Sequence, residues 1–321
     1  MMQRNNNEWN NISPQVMLLV VLLLLGMILS VSTPYFFRWD NLRNILDQST
    51  LDIITGVGMT LIICSGGIDL SVGSVAALAG VLTAIALQSG ANVPLAVVIG
   101  LSAGLLVGFF NGFLISLIRI NPFIVTLASM SIIRGLTLII TGAMPISGFP
   151  GGFLWLGSGS VAILPASVVV AVAIAILWAV ILNQTKLGYY ALAMGGNEEA
   201  LRRSGVAIHA YKIALYILCA LAAAAAGLVM TARLNSADPT AGYMMEMDAI
   251  ATAILGGTSM QGGVGSIGGT VIAGLLLAVL QNGLIMHGIA SYYQQLLTGL
   301  IVIVAVIASQ IKSRSREGIG F

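Results

Sequence analysis

Ten apolar stretches, separated by polar or glycine-rich segments, follow one another along the chain. They cover residues 16–31, 53–63, 70–87, 95–118, 123–140, 161–182, 213–232, 249–255, 267–285 and 296–311. A helix needs about 20 residues to cross the apolar part of a bilayer, so 53–63 and 249–255 are too short by themselves. Amphipathic residues from Asn41 extend the first, and residues 243–248 extend the second. The pattern predicts an all-α, polytopic membrane helix bundle of about ten transmembrane helices, with the short pieces facing protein or a water-filled cavity.

Composition indicates that lipid is the solvent for most of the surface. Hydrophobic residues make up 58% of the 321 residues and charged residues only 7%, whereas a soluble domain carries about 25% charged residues. Because membrane spans use nearly the whole length, we expect residues 1–321 to form a single transmembrane domain. The net charge of +2, without a basic stripe interleaved with aromatics, argues against nucleic acid as a partner.

Basic residues are distributed unevenly between the two ends of the predicted bundle. With an even number of spans, both termini lie on one side of the membrane. If that side is the cytoplasm, the basic residues inside are Arg4, Arg119, Lys186, Arg202, Arg203, Lys212, Lys312, Arg314 and Arg316. Only Arg38, Arg43 and Arg233 are then outside, as the positive-inside rule requires. We expect a multi-pass protein of a bacterial inner membrane whose first apolar stretch is an anchor and not a cleavable signal.

The loops also differ between the two sides. The longest cytoplasmic loop is 183–212, the most polar internal segment of the sequence. We expect a soluble partner to bind there. The outer loops 88–94 and 141–160 carry no charge, and the second is a candidate docking surface.

A short similarity within the chain suggests an internal repeat. Gly66-Gly67 followed by VGSVAALAG (72–80) resembles Gly256-Gly257 followed by VGSIGGTVIAG (264–274). Transporters often carry broken helices at corresponding positions of two repeats. Chance similarity between glycine-rich membrane segments is the alternative.

Motifs for catalysis, nucleotide binding and metal binding are missing from the sequence. It has no GxxxxGK[ST] loop, no HExxH and no paired histidine ligands. His209 and His287 have no carboxylate or cysteine partner nearby in the sequence, so we expect structural roles for them. Cys64 and Cys219 lie in apolar runs, which is typical of inert buried thiols. We expect no catalytic residue, metal or cofactor in this chain, so energy for transport must come from an ion gradient or another subunit.

Four polar residues fall where the chain enters or crosses the predicted membrane, where such side chains are costly and often functional. Asp69 and Ser71 flank the start of a helix at Leu70, so they either cap its first amides or form a gate or subunit contact. Asp52 begins the second span and either caps it or lines a cavity. Arg134 lies within the fifth span. Its side chain must snorkel to the membrane interface, pair with an acid such as Asp52, or line a water-filled path.

Small residues dominate three helix faces, at 100–112, 220–227 and 267–274. Such faces allow helix backbones to approach closely. They are either packing seams within one chain or a dimer interface.

Four segments carry more specific patterns. They are GMTLIICSGGIDLSVGS (58–74), NPFIVTLASMSIIRGL (121–136), KLGYYALAMGGNEEALRRSGV (186–206) and DAIATAILGGTSMQGGVGSIGGTVIAG (248–274). In this order they resemble the permease subunits of ribose-type monosaccharide ATP-binding-cassette (ABC) importers. The number and spacing of the flanking spans fit as well. Two features depart from the family pattern, namely the acidic pair Glu198-Glu199 and the methionines at 144 and within 244–247.

The resemblance implies a permease subunit that forms a homodimer or pairs with a close paralogue. It also implies a cytoplasmic ABC ATPase that binds ATP and Mg²⁺, a periplasmic sugar-binding protein, and a pentose or hexose as solute, with ribose first. The residues that match the family's cytoplasmic coupling segment are Gly195, Gly196, Asn197, Glu198, Ala200, Arg202, Arg203 and Gly205. NEEALRR within it is expected to form a short helix whose acids and arginines complement the helix dipole. The candidates for the translocation path or gate are Asp52, Asp69, Ser71, Asn121 and Arg134.

A stand-alone ion-coupled secondary transporter is the main rival hypothesis. An ABC permease for a non-sugar solute and an intramembrane enzyme are weaker ones. The acidic residues lie at helix starts or in loops and form no relay, which argues against proton coupling. Transport coupled to Na⁺ ions that bind backbone carbonyls is an alternative that the sequence does not exclude.

Overall fold

The computed structural model describes residues 14–317, and helices form nearly all of this part of the chain. The twelve helices in that range are α1 (Pro14–Ser32), α2 (Trp39–Cys64), α3 (Val72–Gln88), α4 (Val93–Ser116), α5 (Pro122–Thr141), α6 (Gly151–Ser158), α7 (Ala166–Gln184), α8 (Lys186–Arg203), α9 (Ile208–Leu234), α10 (Met245–Leu255), α11 (Ile267–Met286) and α12 (Ser291–Glu317). The strands are β1 (Ile146–Ser147), β2 (Ser160–Val161), β3 (Leu164–Pro165) and β4 (Ser236–Ala237). Two antiparallel pairs, β1 with β4 and β2 with β3, are the sheet structure found there. The all-α prediction is confirmed.

The helix count differs from the sequence prediction. Each of the ten apolar stretches lies largely within one helix, but α6 and α8 raise the number in the described range from ten to twelve. Neither added helix is a long apolar run. α6 has eight residues within the uncharged loop 141–160, and α8 carries the charged residues of 183–212.

Six of the described helices are long and apolar enough to cross a membrane. They are α1, α4, α5, α7, α9 and α11. α3 is apolar but has only 17 residues. α2 has 26 residues, and its first half contains several charged side chains while its second half is buried.

The centre of the bundle is α9. It packs against α4, α3, α2 and α6, and α2 in turn packs against α10 and α11. Within its apolar window 67% of α9 is buried, whereas only 6% of the corresponding window of α1 is buried. α1 therefore presents most of its apolar surface outward, as a lipid-facing helix does.

A glycine stripe lets α4 approach α9 very closely. A Cβ atom on Gly104 would lie 2.6 Å from the carbonyl oxygen of Ala220, and one on Gly108 would lie 2.6 Å from Cα of Ile217. Any side chain there would collide with the backbone of α9 or with Ala220. The small residues at 100–112 and 220–227 therefore form a packing seam within one chain, which was the first of the two predicted roles.

Candidate functional site

The predicted coupling segment, residues 195–205, contains a helix break followed by a short helix. Asn197 has the non-helical dihedrals φ −159° and ψ 93° and interrupts α8. Its side-chain Oδ1 accepts a hydrogen bond from the backbone N–H of Ala200 at 2.9 Å, as a helix N-cap does. The predicted NEEALRR helix is therefore present, and Asn197 sets where it begins.

Charges on this short helix lie on the surface and pair with one another. Arg202 lies 3.6 Å from Glu198 and 3.3 Å from Glu199, and Arg203 lies 3.2 Å from Glu199. The acids are near the helix start and the arginines near its end, which suits the helix dipole. Exposed pairs of this kind contribute little stability, so these charges remain available to a partner protein.

Two contacts attach the coupling segment to the bundle. The Lys212 ammonium, at the start of α9, lies 2.6 Å from the Glu198 carboxylate. A Cβ atom on Gly195 would lie 2.0 Å from the carbonyl oxygen of Cys64 and 2.3 Å from the amide nitrogen of Gly263. The Gly263 N–H donates to that same Cys64 carbonyl at 2.8 Å. The end of α2, the coupling segment and the loop between α10 and α11 thus meet backbone to backbone, which only glycine permits.

The two Gly-Gly breaks of the proposed repeat lie at equivalent places in the chain. One follows the C-terminal end of α2, with Gly66 at φ +81°, and the other follows α10, with Gly257 at φ +95°. Each break follows the end of a helix, but the positive φ falls on the first glycine of one pair and on the second of the other. The duplication itself stays a prediction.

A cavity of about 280 Å³ lies between the coupling segment and the turn that joins α4 to α5. Its polar lining residues are Ser116, Arg119, Asn121, Glu198, Arg202, His209 and Lys212. Asn121 caps α5 through its side-chain oxygen, which accepts from the N–H of Phe123 at 2.9 Å. The structure therefore places Asn121 beside the coupling segment and apart from the other path candidates.

Asp69 and Ser71 belong to a buried polar network that joins three elements. The Asp69 carboxylate accepts from the backbone N–H of Ser71 at 2.9 Å and from its hydroxyl at 2.6 Å. Asn111 of α4 donates to the Ser71 hydroxyl at 3.1 Å, and Ser129 of α5 donates to Asn111. The second Asp69 oxygen has no hydrogen-bond partner within the described residues. The break between α2 and α3 is thereby tied to α4 and α5.

The predicted cap of α3 needs correction in one respect. Ser71, and not Asp69, occupies the N-cap position, and its side chain makes no capping hydrogen bond. The reason is that the Ser71 hydroxyl is already engaged with Asp69 and Asn111.

Arg134 does not pair with Asp52, contrary to one of the predicted alternatives. Its guanidinium donates to the carbonyl oxygens of Pro239 and Ala241 at 2.8 and 2.6 Å. α5 packs against α3 and α4, whereas α2, which carries Asp52, packs elsewhere. Arg134 therefore holds the loop that precedes α10.

Asp52 lies on α2, which packs against α9 and α10. Asp248 of α10 and Arg233 of α9 are the charged groups that act on it electrostatically. Arg233 also lies 3.7 Å from Asp47 and donates to its backbone carbonyl at 3.0 Å. The structure thus brings Asp52 to α10 and separates it from the network around Asp69.

Several residues of these sites were not singled out from the sequence. Asn111 and Ser129 complete the buried network, and Lys212 anchors the coupling segment. A polar residue within a small-residue face, as Asn111 is within 100–112, was the available signal. The anchoring role of Lys212 required knowledge of the fold.

The histidines and cysteines have the expected surroundings. His209 hydrogen-bonds the Ser116 hydroxyl at 2.9 Å, and His287 bonds the carbonyl of Gly283 at 2.7 Å. Cys64 and Cys219 are buried and free.

Six apolar helices long enough to cross a membrane, together with an exposed charged segment, fit a polytopic membrane protein. Residues 41–306 match the family described as branched-chain amino acid transport system / permease component, and the chain belongs to this family. It is 42% identical to the ribose import permease protein RbsC of Escherichia coli K12 over 299 residues, 92% of this chain and 93% of that protein. It is 41% identical to RbsC of Bacillus subtilis 168 over 295 residues, 91% of each chain.

A further relative is the galactose/methyl galactoside import permease protein MglC of Escherichia coli K12. It is 36% identical over 313 residues, 91% of this chain and 93% of that protein. No solved structure matches the chain. The predicted family resemblance is confirmed, and the chain is a multi-pass membrane permease component.

Proposed function

We propose that this chain is the permease subunit of an ABC importer that carries a monosaccharide into the cytoplasm. Relatives named for ribose, galactose/methyl galactoside and D-allose support a pentose or hexose as the solute. The family description names branched-chain amino acids, so an amino acid is the second candidate. The sugar importers are favoured because they match over more than nine-tenths of this chain.

The coupling segment is the observation that carries this proposal. It exposes paired charges, contains a helix break at Asn197, and contacts the end of α2 and the α10–α11 loop through Gly195. A force applied to this short helix by a partner would therefore act directly on the backbone of α2 and of the α10–α11 loop. ATP and Mg²⁺ would bind to that partner, an ABC ATPase, and not to this chain.

The remaining parts of the proposal follow the same importer scheme. Residues 1–321 form one transmembrane domain in a bacterial inner membrane, with both termini and the coupling segment in the cytoplasm. Two permease subunits pair, most simply as a homodimer, and a periplasmic sugar-binding protein delivers the solute. Arg4, one of the inside charges, lies outside the described residues.

Charge reversal on the coupling helix tests the ATPase contact. Arg203→Glu is expected to reduce the co-purifying ATPase more than about tenfold, because like charges facing each other at an interface cost several kcal/mol. Arg203 is 80% exposed, so its replacement leaves the bundle intact. The measurement is quantitative mass spectrometry of proteins that co-purify with the tagged chain from native membranes.

Lys186→Glu is the matched control, because it makes the same charge change at the start of α8, outside the coupling segment. If Arg203→Glu and the deletion of residues 197–203 each leave ATPase recovery at the wild-type level, the coupling assignment is contradicted. If the wild-type chain recovers no ATPase, and proteoliposomes containing it alone take up sugar driven by an ion gradient, the ABC importer proposal itself is wrong.

A further inference from the structure

A second cavity, of about 380 Å³, opens among the segment before α10, α11 and α12. Its lining residues are Tyr243, Met244, Met247, Asp248, Gln281, Gln294, Gln295, Thr298 and Gly299. This volume falls within the range of about 300–1,000 Å³ that is typical of small-molecule sites. None of these residues belongs to the coupling segment or to the network around Asp69.

The polar lining is unusual for its position in the chain. Gln281 lies in α11, a helix long and apolar enough to cross a membrane, and Gln294 and Thr298 lie one helical turn apart on α12. Amide side chains at membrane depth are costly and face protein or water. Within the described part of the chain, none of the three glutamine side chains of this cavity makes a hydrogen bond to another residue. Their donors and acceptors are therefore free to bind a molecule inside the cavity.

The acidic residue of the cavity connects it to a path residue predicted from the sequence. Asp248 lines the cavity and lies on α10, which packs against α2, the helix that carries Asp52. Glu246, two residues before Asp248, acts on Asp248 electrostatically.

We propose that this cavity is a contact site for the transported solute and that its chemistry selects a polyhydroxylated molecule, such as a monosaccharide. Each glutamine amide both donates and accepts, and the carboxylate accepts, which suits neighbouring hydroxyl groups that do the same. Tyr243 and the flexible side chains of Met244 and Met247 provide an adaptable apolar wall. This inference rests on the proposed function and deepens it by naming where the sugar touches the permease.

Cysteine labelling tests whether the cavity holds water and sugar. Thr298→Cys places a thiol in the cavity, and Leu296→Cys places one at a similar depth on a 58% exposed face outside it. The natural cysteines are buried, so the wild type gives the background. In spheroplasts of cells with the intact importer, a charged, membrane-impermeant maleimide is expected to label Thr298→Cys faster than Leu296→Cys. Excess D-ribose or D-galactose is expected to slow the reaction, and betaine at equal osmolarity is not.

Uptake of radiolabelled D-ribose and D-galactose gives an independent readout. Gln294→Leu is expected to lower the uptake rate about tenfold, the equivalent of about 1.4 kcal/mol, with unchanged membrane level and ATPase recovery. Gln184→Leu removes a glutamine at the end of α7, outside the cavity, and is expected to transport at the wild-type rate.

The outcomes separate this inference from the proposed function. If the wild type takes up neither sugar, the proposed function fails. If the wild type transports but both cysteines label alike, the sugars give no protection and Gln294→Leu transports normally, only the cavity assignment fails. Protection by Na⁺ and not by sugar would also overturn it, in favour of a cation site near Asp248.

Discussion

At the scale of single residues, most buried hydroxyls donate to backbone carbonyls of their own helix, and a smaller set of polar side chains bond to one another. Asn111 is the central member of this set because it is fully buried and links Ser71 at the α2–α3 break to Ser129 on α5. It serves as donor to one hydroxyl and acceptor from the other, which a hydrophobic residue of similar size cannot do. Its role is to fix the break relative to two neighbouring helices.

Asn111→Leu is therefore expected to destabilise the protein by about 1–3 kcal/mol, because Ser71 and Ser129 lose a buried partner. The measurement is the thermal unfolding midpoint of the detergent-solubilised protein. Ser102→Ala on the same helix is the control, because the Ser102 hydroxyl is exposed and, among residues 14–317, bonds only the carbonyl of Ile99 within α4. Equal midpoints for the two variants would show that the network adds no stability.

At the scale of elements, hydrophobic pattern predicted the helices well and their contacts poorly. All ten apolar stretches became helices because each must satisfy its backbone hydrogen bonds internally in lipid. α6 and the first part of α8 were not predicted, because neither is a long apolar run. The coupling helix, which is the second part of α8, was predicted from the family resemblance, and the Gly-Gly breaks were predicted from the glycines themselves.

Side-chain partners depend on which helices become neighbours, and that information is not local. Arg134 donates to carbonyl oxygens of the loop before α10, and Asp52 lies on α2 among α9, α10 and α11, because α5 and α2 do not pack together. Asn121 was grouped with the path candidates because it is a polar residue near the end of a predicted span. Its position beside Glu198 follows from how the α4–α5 turn folds over the start of α9.

The close packing of α4 against α9 predicts that replacing glycine by alanine changes stability in opposite directions at two positions. Alanine normally favours a helix over glycine by about 1 kcal/mol, so Gly135→Ala in α5, where a Cβ meets no atom within 4 Å, is expected to be neutral or stabilising. Gly108→Ala is expected to destabilise, because its Cβ would lie 2.6 Å from the α9 backbone. Thermal unfolding midpoints of the two variants provide the comparison. A stabilising Gly108→Ala would mean that α4 and α9 are not held at this distance.

At the scale of the whole molecule, the two ends of the bundle differ in charge. One end carries the coupling segment, Arg119 and Lys212 around the 280 Å³ cavity, and the other carries the uncharged loops 88–94 and 141–160. Positive charge near the ends of spans determines which end stays in the cytoplasm. The proposed ATPase contact requires the charged end to lie in the cytoplasm, so the orientation of the bundle tests the proposed function.

Two exposed serines test this orientation. Ser204→Cys lies directly after α8, and Ser89→Cys lies at the end of α3 in the loop 88–94. In intact spheroplasts a membrane-impermeant maleimide is expected to label only Ser89→Cys, and Ser204→Cys is expected to react only after the membrane is opened. The wild type again supplies the background, because Cys64 and Cys219 are buried. The reverse pattern would place the coupling segment outside the cell, where no ATPase can reach it, and would contradict the importer proposal whatever sugar the protein carries.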